Sequence, residues 1–208
     1  MNVKKILLLI LPVLALAFGK KDTPRVFLAG DSTMAPKKAT AAPETGWGMV
    51  FPAFFDTSAV KFENHAVNGR STKSFRTLGH WDNMIARVHP GDYVFLQFGH
   101  NDSKVSDSLR YAPARTDYRD NLIRFIGEIR AKGGQPVLLT PVVRRKFDDK
   151  GQYVDQHGDY PAVVREVAAA QKVPLIDLWA KSKQLLERLG PDDSKRMFLN
   201  LPPATFPN

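Results

Sequence analysis

The sequence predicts an α/β fold built around a five-stranded, mostly parallel sheet. Two observations carry this prediction: short apolar runs recur along the chain, and segments with helical patterning separate them. Strands joined through helices pair in parallel, because the crossover returns the chain to the same end of the sheet. With 208 residues, 43% apolar and 25% charged, the chain is neither disordered, nor collagen-like, nor a multi-span membrane protein.

Residues 1–20 are expected to form a signal peptide rather than part of the fold. Lys4 and Lys5 precede an apolar run at residues 6–17, which is shorter than the roughly 20 residues of a membrane span. The small residues Ala15 and Ala17 suit cleavage near residues 17–20. We therefore expect a secreted or periplasmic protein with no stable membrane anchor after cleavage.

The net charge and the absence of cysteine limit which functional sites and partners are expected. The formal net charge is +9 and the sequence contains no cysteine. Disulfides, thiolate zinc sites, iron–sulfur clusters, a cysteine nucleophile and a lipid-modified cysteine are thereby excluded. A basic surface can attract nucleic acid, an anionic membrane or an acidic polysaccharide, and the expected export argues against nucleic acid as a partner. A solvated basic surface without a partner is the alternative.

The N-terminal half contains three predicted strands. A short apolar run at residues 26–29 ends at Gly30 and is typical of a buried strand. Weaker apolar character indicates a second strand at residues 60–63, and the continuous apolar run at residues 93–98 predicts a central strand covered on both faces. Between them, helical segments are predicted at residues 47–55 (a helix or a packed loop), 71–76 and 81–88.

The C-terminal half begins with the clearest helix, at residues 116–132. Thr116 suits its N-cap, and Gly133 with Gly134 suits its end. Apolar side chains share one face of this helix at helical spacing: Tyr118, Leu122, Phe125, Ile126 and Ile129. The remaining predictions are strands at 137–140 and 174–177, an exposed charged loop at 144–158, and helices at 161–171 and 178–189.

Polar, glycine-containing loops follow the first three predicted strands. These loops are Gly30-Asp31-Ser32, Asn68-Gly69 and Gly99-His100-Asn101-Asp102. In parallel sheets the reactive residues lie just past the carboxyl ends of the strands, so the three loops are expected to gather at one edge. Turn formation alone explains any one of these loops, but explains all three together less well.

The residues of these loops suit acyl transfer through a serine. Ser32, next to a helix start, can present its hydroxyl as a nucleophile. Gly69 can offer a backbone N–H that no side chain obstructs, and Asn101 can offer a side-chain amide N–H. Such donors stabilise the oxyanion that forms during the reaction. The sequence lacks the Gly-x-Ser-x-Gly elbow, which excludes the common α/β-hydrolase family.

The segments GDSTM (30–34), NGRST (68–72) and GHND (99–102) resemble the first three conserved blocks of the SGNH (GDSL-type) hydrolases, above all the rhamnogalacturonan acetylesterase branch. The resemblance runs from about residue 25 to residue 208 and includes residues 158–161 and 173–178. It implies a three-layer α/β/α sandwich, flavodoxin-like in its sheet, that uses no cofactor and no metal. It also implies that Ser32 is the nucleophile, and that the backbones of Ser32 and Gly69 and the side chain of Asn101 form the oxyanion hole.

The same resemblance implies a function. We expect a secreted serine esterase that deacetylates a plant cell-wall polysaccharide, with a pectic rhamnogalacturonan as the polymer, through an acyl-enzyme on Ser32. The partner would be the acetylated polysaccharide or oligosaccharide. Two alternatives stay open: another lipase or acyl hydrolase on the same scaffold, and a catalytically crippled carbohydrate-binding fragment.

One family block is missing from the sequence. The family supplies its catalytic acid and base from an Asp-x-x-His block near the C-terminus, and no such block occurs in this chain. We therefore expect a hydrolase domain at residues 21–208 that is incomplete at its C-terminus. Of the five histidines, His100 is expected to shape the pocket floor and His157 to lie in an exposed loop. The other three, His65, His80 and His89, are expected to be surface or turn residues.

Overall fold

The computed structural model describes residues 23–199, so the expected signal peptide at residues 1–20 lies outside the described residues. Five strands form one sheet in the order β2-β1-β3-β4-β5, and every neighbouring pair is parallel. The strands are β1 (Arg25–Gly30), β2 (Lys61–Asn64), β3 (Tyr93–Gln97), β4 (Gln135–Leu139) and β5 (Leu175–Ile176). The predicted α/β class and the five-stranded sheet are confirmed.

The helices separate the strands as the sequence predicts. They are α1 (Trp47–Val50), α2 (Thr72–Thr77), α3 (His80–Ile85), α4 (Arg119–Ala131), α5 (Tyr160–Gln171) and α6 (Leu178–Asp193). A short 3₁₀ turn, Phe51–Phe54, continues α1, since Pro52 limits a longer helix. The regular part of α6 ends at Gly190, whose φ of 67° kinks the chain before Pro191. Within residues 23–199 no helix has both the length and the apolar character needed to cross a bilayer.

Two apolar cores lie against the two faces of the sheet. Side chains alternate along β1, so Phe27 belongs to the larger core, which α2, α3, α4 and α5 complete. Leu28 belongs to the smaller core, together with Met34, Trp47 and Phe51. Both residues are fully buried, and burial of a large apolar side chain contributes about 2 kcal/mol. The fold is therefore layered, with the carboxyl ends of β1 and β3 at one edge.

Two local predictions are wrong. Thr116 does not cap α4, because a π-helical turn, Ala114–Tyr118, runs directly into the helix and places Thr116 inside helical backbone. His157 is not exposed: it is 2% accessible, and its ring lies 4.7 Å from that of His100, centroid to centroid. Neither difference is visible in local sequence, because each depends on how the loop or helix start packs against the rest of the fold.

Candidate active site

Ser32 lies in the turn that directly follows β1. Buried Asp31 shapes this turn: its carbonyl accepts hydrogen bonds from the N–H groups of Met34 (3.2 Å) and Ala35 (3.0 Å). Its Oδ1 accepts from the backbone N–H (2.9 Å) and hydroxyl (2.8 Å) of Thr33. Ser32 is half-buried, and its Oγ hydrogen-bonds to none of residues 23–199. A fixed turn therefore presents an available hydroxyl at the edge of the sheet.

The neighbouring strand anchors the serine turn. Gln97, the last residue of β3, is fully buried, and its Nε2 donates to Thr33 Oγ1 at 2.9 Å. Its Oε1 accepts a 2.7 Å hydrogen bond from Trp47 Nε1. Since a buried amide without partners is costly, this network fixes the turn relative to both β3 and α1.

Gly69 lies in the loop after β2, beside the end of β1. Val67, two residues earlier, donates its N–H to the carbonyl of Gly30 at 3.0 Å. Gly69 has a φ of +73°, a left-handed conformation that a side chain would strain. Among residues 23–199, its N–H has no acceptor, and neither does that of Ser32. Both N–H groups are therefore available to an external oxyanion.

Asn101 and Asp102 fasten the loop after β3 to the Gly69 loop. Asn101 is 3% exposed, and its Nδ2 donates to the carbonyl of Arg70 at 3.0 Å, which engages one of its two amide hydrogens. Asp102 Oδ1 accepts from the N–H (2.9 Å) and hydroxyl (2.6 Å) of Thr72, and its Oδ2 accepts from the N–H of Gly99 (3.1 Å). The second amide hydrogen of Asn101 remains available.

Lys37 joins the serine turn to the Gly69 loop. Its side chain is 3% exposed, and its Nζ donates to the carbonyl of Ser32 (2.6 Å) and to Oδ1 of Asn68 (2.9 Å). The same ammonium pairs with Glu44 at 2.9 Å. Sequence reasoning missed this residue, because nothing local distinguishes Lys37 from the exposed Lys38 that follows it.

Two buried carboxyl groups underlie the loops. Complete burial, together with the charge of Asp31, raises the pKa of Asp102 to about 7. The two hydrogen bonds from Thr72 act in the opposite direction, since they favour the carboxylate. Asp102 is therefore partly protonated at neutral pH. Asp31 Oδ2 is buried and has no hydrogen-bond partner among residues 23–199.

None of the five histidines hydrogen-bonds to Ser32 in the described part of the chain. His100 donates its Nε2 proton to the carbonyl of Val142 at 2.7 Å. Burial lowers the pKa of His157 to about 3, with contributions from His100 and Arg144, so its ring is neutral at physiological pH. His65 contacts Glu63, His80 contacts Arg70, and His89 contacts Arg25. Residues 23–199 thus place no histidine as a base for Ser32.

The structure brings the loops of Ser32, Gly69 and Asn101 to one edge of the sheet. Lys37 connects the first loop to the second, while Asn101 connects the second to the third. The model of the GDSL-like lipase/acylhydrolase family matches residues 28–200, which span all three loops. The chain belongs to this family. Membership confirms the predicted SGNH-type hydrolase and the expected enzyme class, a carboxylic ester hydrolase.

Individual relatives agree with this assignment. The chain is 40% identical over 188 residues to rhamnogalacturonan acetylesterase RhgT of Bacillus subtilis, which covers 90% of this chain and 79% of that protein. It is 31% identical to the probable rhamnogalacturonan acetylesterase YesY of the same organism, with 84% and 79% covered.

Solved structures show the same fold. The structure of Bacillus subtilis YxiM superposes with a TM-score of 0.75 at 26% identity, over 84% of this chain and 49% of that chain. The chain thus spans about half the length of YxiM. A catalytic variant of Axe2, an acetylxylan esterase from Geobacillus stearothermophilus, superposes with a TM-score of 0.58 at 16% identity, over 88% of this chain and 83% of that chain. At that identity, the similarity to Axe2 concerns the fold alone.

Proposed function

We propose that this chain is a serine-dependent carbohydrate esterase that removes acetyl groups from a plant cell-wall polysaccharide, with acetylated rhamnogalacturonan as its polymer. The polymer is chosen because RhgT, at 40% identity over 90% of this chain, is a rhamnogalacturonan acetylesterase. One observation carries the chemistry. The N–H groups of Ser32 and Gly69 and the second amide hydrogen of Asn101 have no acceptor among residues 23–199.

In the proposed mechanism, Ser32 Oγ attacks the carbonyl carbon of the acetyl ester. The carbonyl oxygen becomes an oxyanion, which the available N–H groups of Ser32, Gly69 and Asn101 stabilise. Each such donor lowers the barrier by about 3 kcal/mol. The sugar oxygen then leaves with a proton, and water hydrolyses the acetyl group from Ser32, releasing acetate. The buried contacts of Lys37, Gln97 and Asp102 hold the donors in position before substrate binds.

This mechanism also requires a base that accepts the Ser32 proton. The expected base is the histidine of the family's Asp-x-x-His block, and this assignment remains a prediction. Without a base, an oxyanion hole and substrate binding leave a residual acceleration of roughly 10³-fold over water. The rate of a chain that includes this block therefore reports on the base, whereas the effect of altering Gly69 or Asn101 reports on the oxyanion hole.

We also propose that the protein is exported. The support is the sequence alone, with Lys4 and Lys5 before the apolar run at residues 6–17. N-terminal sequencing of the protein recovered from the periplasm or medium tests this proposal. A mature N-terminus near residues 17–20 is expected. An intact Met1 on protein retained in the cytoplasm contradicts the proposal.

Acetate release from acetylated rhamnogalacturonan tests the proposed activity. A chain extended through the family's Asp-x-x-His block is expected to release acetate, and Ser32→Ala in that chain is expected to reduce the rate by roughly 10³-fold or more. Ser58→Ala is the matched control, because this exposed serine hydrogen-bonds, among residues 23–199, only to Asp56 in its own turn. Equal rates in Ser32→Ala and the parent contradict the proposal. Preference for long-chain over acetyl p-nitrophenyl esters instead favours the lipase alternative.

A further inference from the structure

Arg110 lies beside Gly69. From the position that a Cβ on Gly69 would occupy, the guanidinium Cζ and Nη1 of Arg110 are each 3.7 Å away and Nη2 is 3.9 Å away. If the terminal nitrogens pointed at the glycine, they would lie clearly closer than Cζ. The nearly equal distances show that the flat face of the guanidinium covers Gly69. The nitrogen edge of the group is therefore not covered by this loop.

Asp107 holds the guanidinium in place at its Nε edge. Its Oδ2 lies 3.0 Å from Arg110 Nε. The backbone N–H of Arg110 donates to the carbonyl (3.0 Å) and Oδ1 (3.2 Å) of the same aspartate. The Arg110 side chain is 34% exposed, and its two terminal nitrogens have no hydrogen-bond partner among residues 23–199. The group is thus oriented in advance, with its fork of N–H donors unused.

The surroundings of Arg110 favour a negatively charged ligand. Lys73, four residues after Gly69, donates its Nζ to the carbonyl of Ser108 at 2.7 Å and brings a second positive charge to the Arg110 loop. A guanidinium with two free terminal nitrogens matches the geometry of a carboxylate, which it can bind with two parallel hydrogen bonds.

We propose that Arg110 binds the carboxylate of a uronate sugar adjacent to the acetylated position, and so directs the acetyl group to Gly69 and Ser32. This inference rests on the proposed function, because the uronate that Arg110 would bind is the galacturonate of rhamnogalacturonan. A neutral polymer, such as the backbone of xylan, has no such carboxylate. Arg110 would then determine which acetylated polymers are accepted, while the oxyanion hole acts on the acetyl group alone.

Calorimetric binding to the Ser32→Ala protein tests the proposal without turnover. The ligands are acetylated rhamnogalacturonan oligosaccharides and the same oligosaccharides with their carboxyl groups reduced to alcohols. The acidic ligand is expected to bind at least tenfold more tightly. Adding Arg110→Gln should reduce this preference to less than twofold. Adding Arg119→Gln, which removes the same charge from an exposed position on α4, should leave it unchanged.

Arg110→Lys provides a second variant. Lysine keeps the positive charge but lacks the two parallel N–H donors of the guanidinium. A preference of about two- to fivefold for the acidic ligand should therefore remain. Equal affinity for the two ligands in the Ser32→Ala protein overturns the proposal. So does a full preference in folded Arg110→Gln, or no measurable binding of the acidic ligand at millimolar concentration. Failure of the proposed function is distinguishable, since it appears as absence of acetate release by the chain extended through the Asp-x-x-His block, whatever the binding preference.

Discussion

The ammonium group of Lys37 lies 2.6 Å from the carbonyl oxygen of Ser32, in the turn that carries the candidate nucleophile. The same ammonium donates to Asn68 at 2.9 Å, and Asn68 directly precedes Gly69. Lys37 therefore sets the spacing between the loop of Ser32 and the loop of Gly69. A buried lysine has to be paired to be tolerated, and here its pairing joins two loops that are separated by more than thirty residues in sequence.

Replacing Lys37 with Met should lower kcat more than it raises KM. The substitution keeps the volume of the side chain but removes the hydrogen bonds to Ser32 and Asn68, so the donors of the two loops lose their fixed spacing. We expect kcat with p-nitrophenyl acetate to fall 10- to 100-fold, and the free energy of unfolding to fall by about 1–3 kcal/mol. Lys38→Met is the control, because Lys38 is exposed. Comparable kcat values in the two variants would contradict a positioning role.

Gly69→Ala should reduce both stability and activity. An alanine at a φ of +73° costs about 1–2 kcal/mol, while its Cβ would make only ordinary contact with Arg110 at 3.7 Å. The strain should shift the N–H from its position in the candidate oxyanion hole, so kcat should fall at least tenfold. Gly79→Ala has a similar φ of +77° and open space around its Cβ. It should lose a similar free energy of unfolding in urea and keep its kcat.

Asp102→Asn should destabilise the fold by about 1–3 kcal/mol in chemical denaturation. All three partners of the carboxyl, two from Thr72 and one from Gly99, are donors, so the amide NH₂ of asparagine must face one of them. Ser103→Ala, at a half-buried neighbour, should cost less than about 1 kcal/mol. Equal losses in the two variants would argue against the proposed network.

The pKa of Asp102 also predicts a pH dependence. Because the pKa is raised from its ordinary value of 3.8 to about 7 in the folded state, the folded state retains a proton that the unfolded state releases. The contribution of this group to stability is therefore present at low pH and declines as the pH rises from about 4 to 7. Urea titrations across this range should give a steeper decline for the parent than for Asp102→Asn. The same slope in both proteins would contradict the prediction.

His157→Phe should weaken the acid sensitivity of the fold. The pKa of His157 is lowered from its ordinary value of 6.5 to about 3, so the unfolded state binds a proton that the folded state excludes. The contribution of this group is present above pH 6.5 and is lost as the pH falls toward 3. Phenylalanine keeps the aromatic contact with His100 and does not titrate.

The measurement for His157→Phe is the free energy of unfolding at a series of pH values from 7 down to about 4. The variant should lose less stability over this range than the parent. His89→Gln, at an exposed histidine, is the control and should follow the parent. A loss in His157→Phe as large as that of the parent would show that the buried imidazole does not govern acid unfolding.

Local patterns in the sequence were sufficient to predict the strands and the loops that follow them. The apolar runs at residues 26–29 and 93–98 correspond to β1 and β3 within one or two residues. The order of strands and helices was enough to predict a parallel sheet and to bring Ser32, Gly69 and Asn101 toward one edge. These features depend on neighbouring residues, whose side-chain pattern restricts the backbone directly.

The folded molecule was needed for the residues that surround those loops. In the sequence, nothing distinguishes Lys37 from Lys38, or Arg110 from the other arginines of this basic chain. His157 lies in a charged segment that the sequence predicts to be exposed. Each takes its role from a contact across the chain: Lys37 with Asn68, Arg110 with Gly69, and His157 with His100. The partners in these contacts are distant along the chain, so no local sequence pattern predicts them. They come together only when the parallel sheet aligns the ends of its strands.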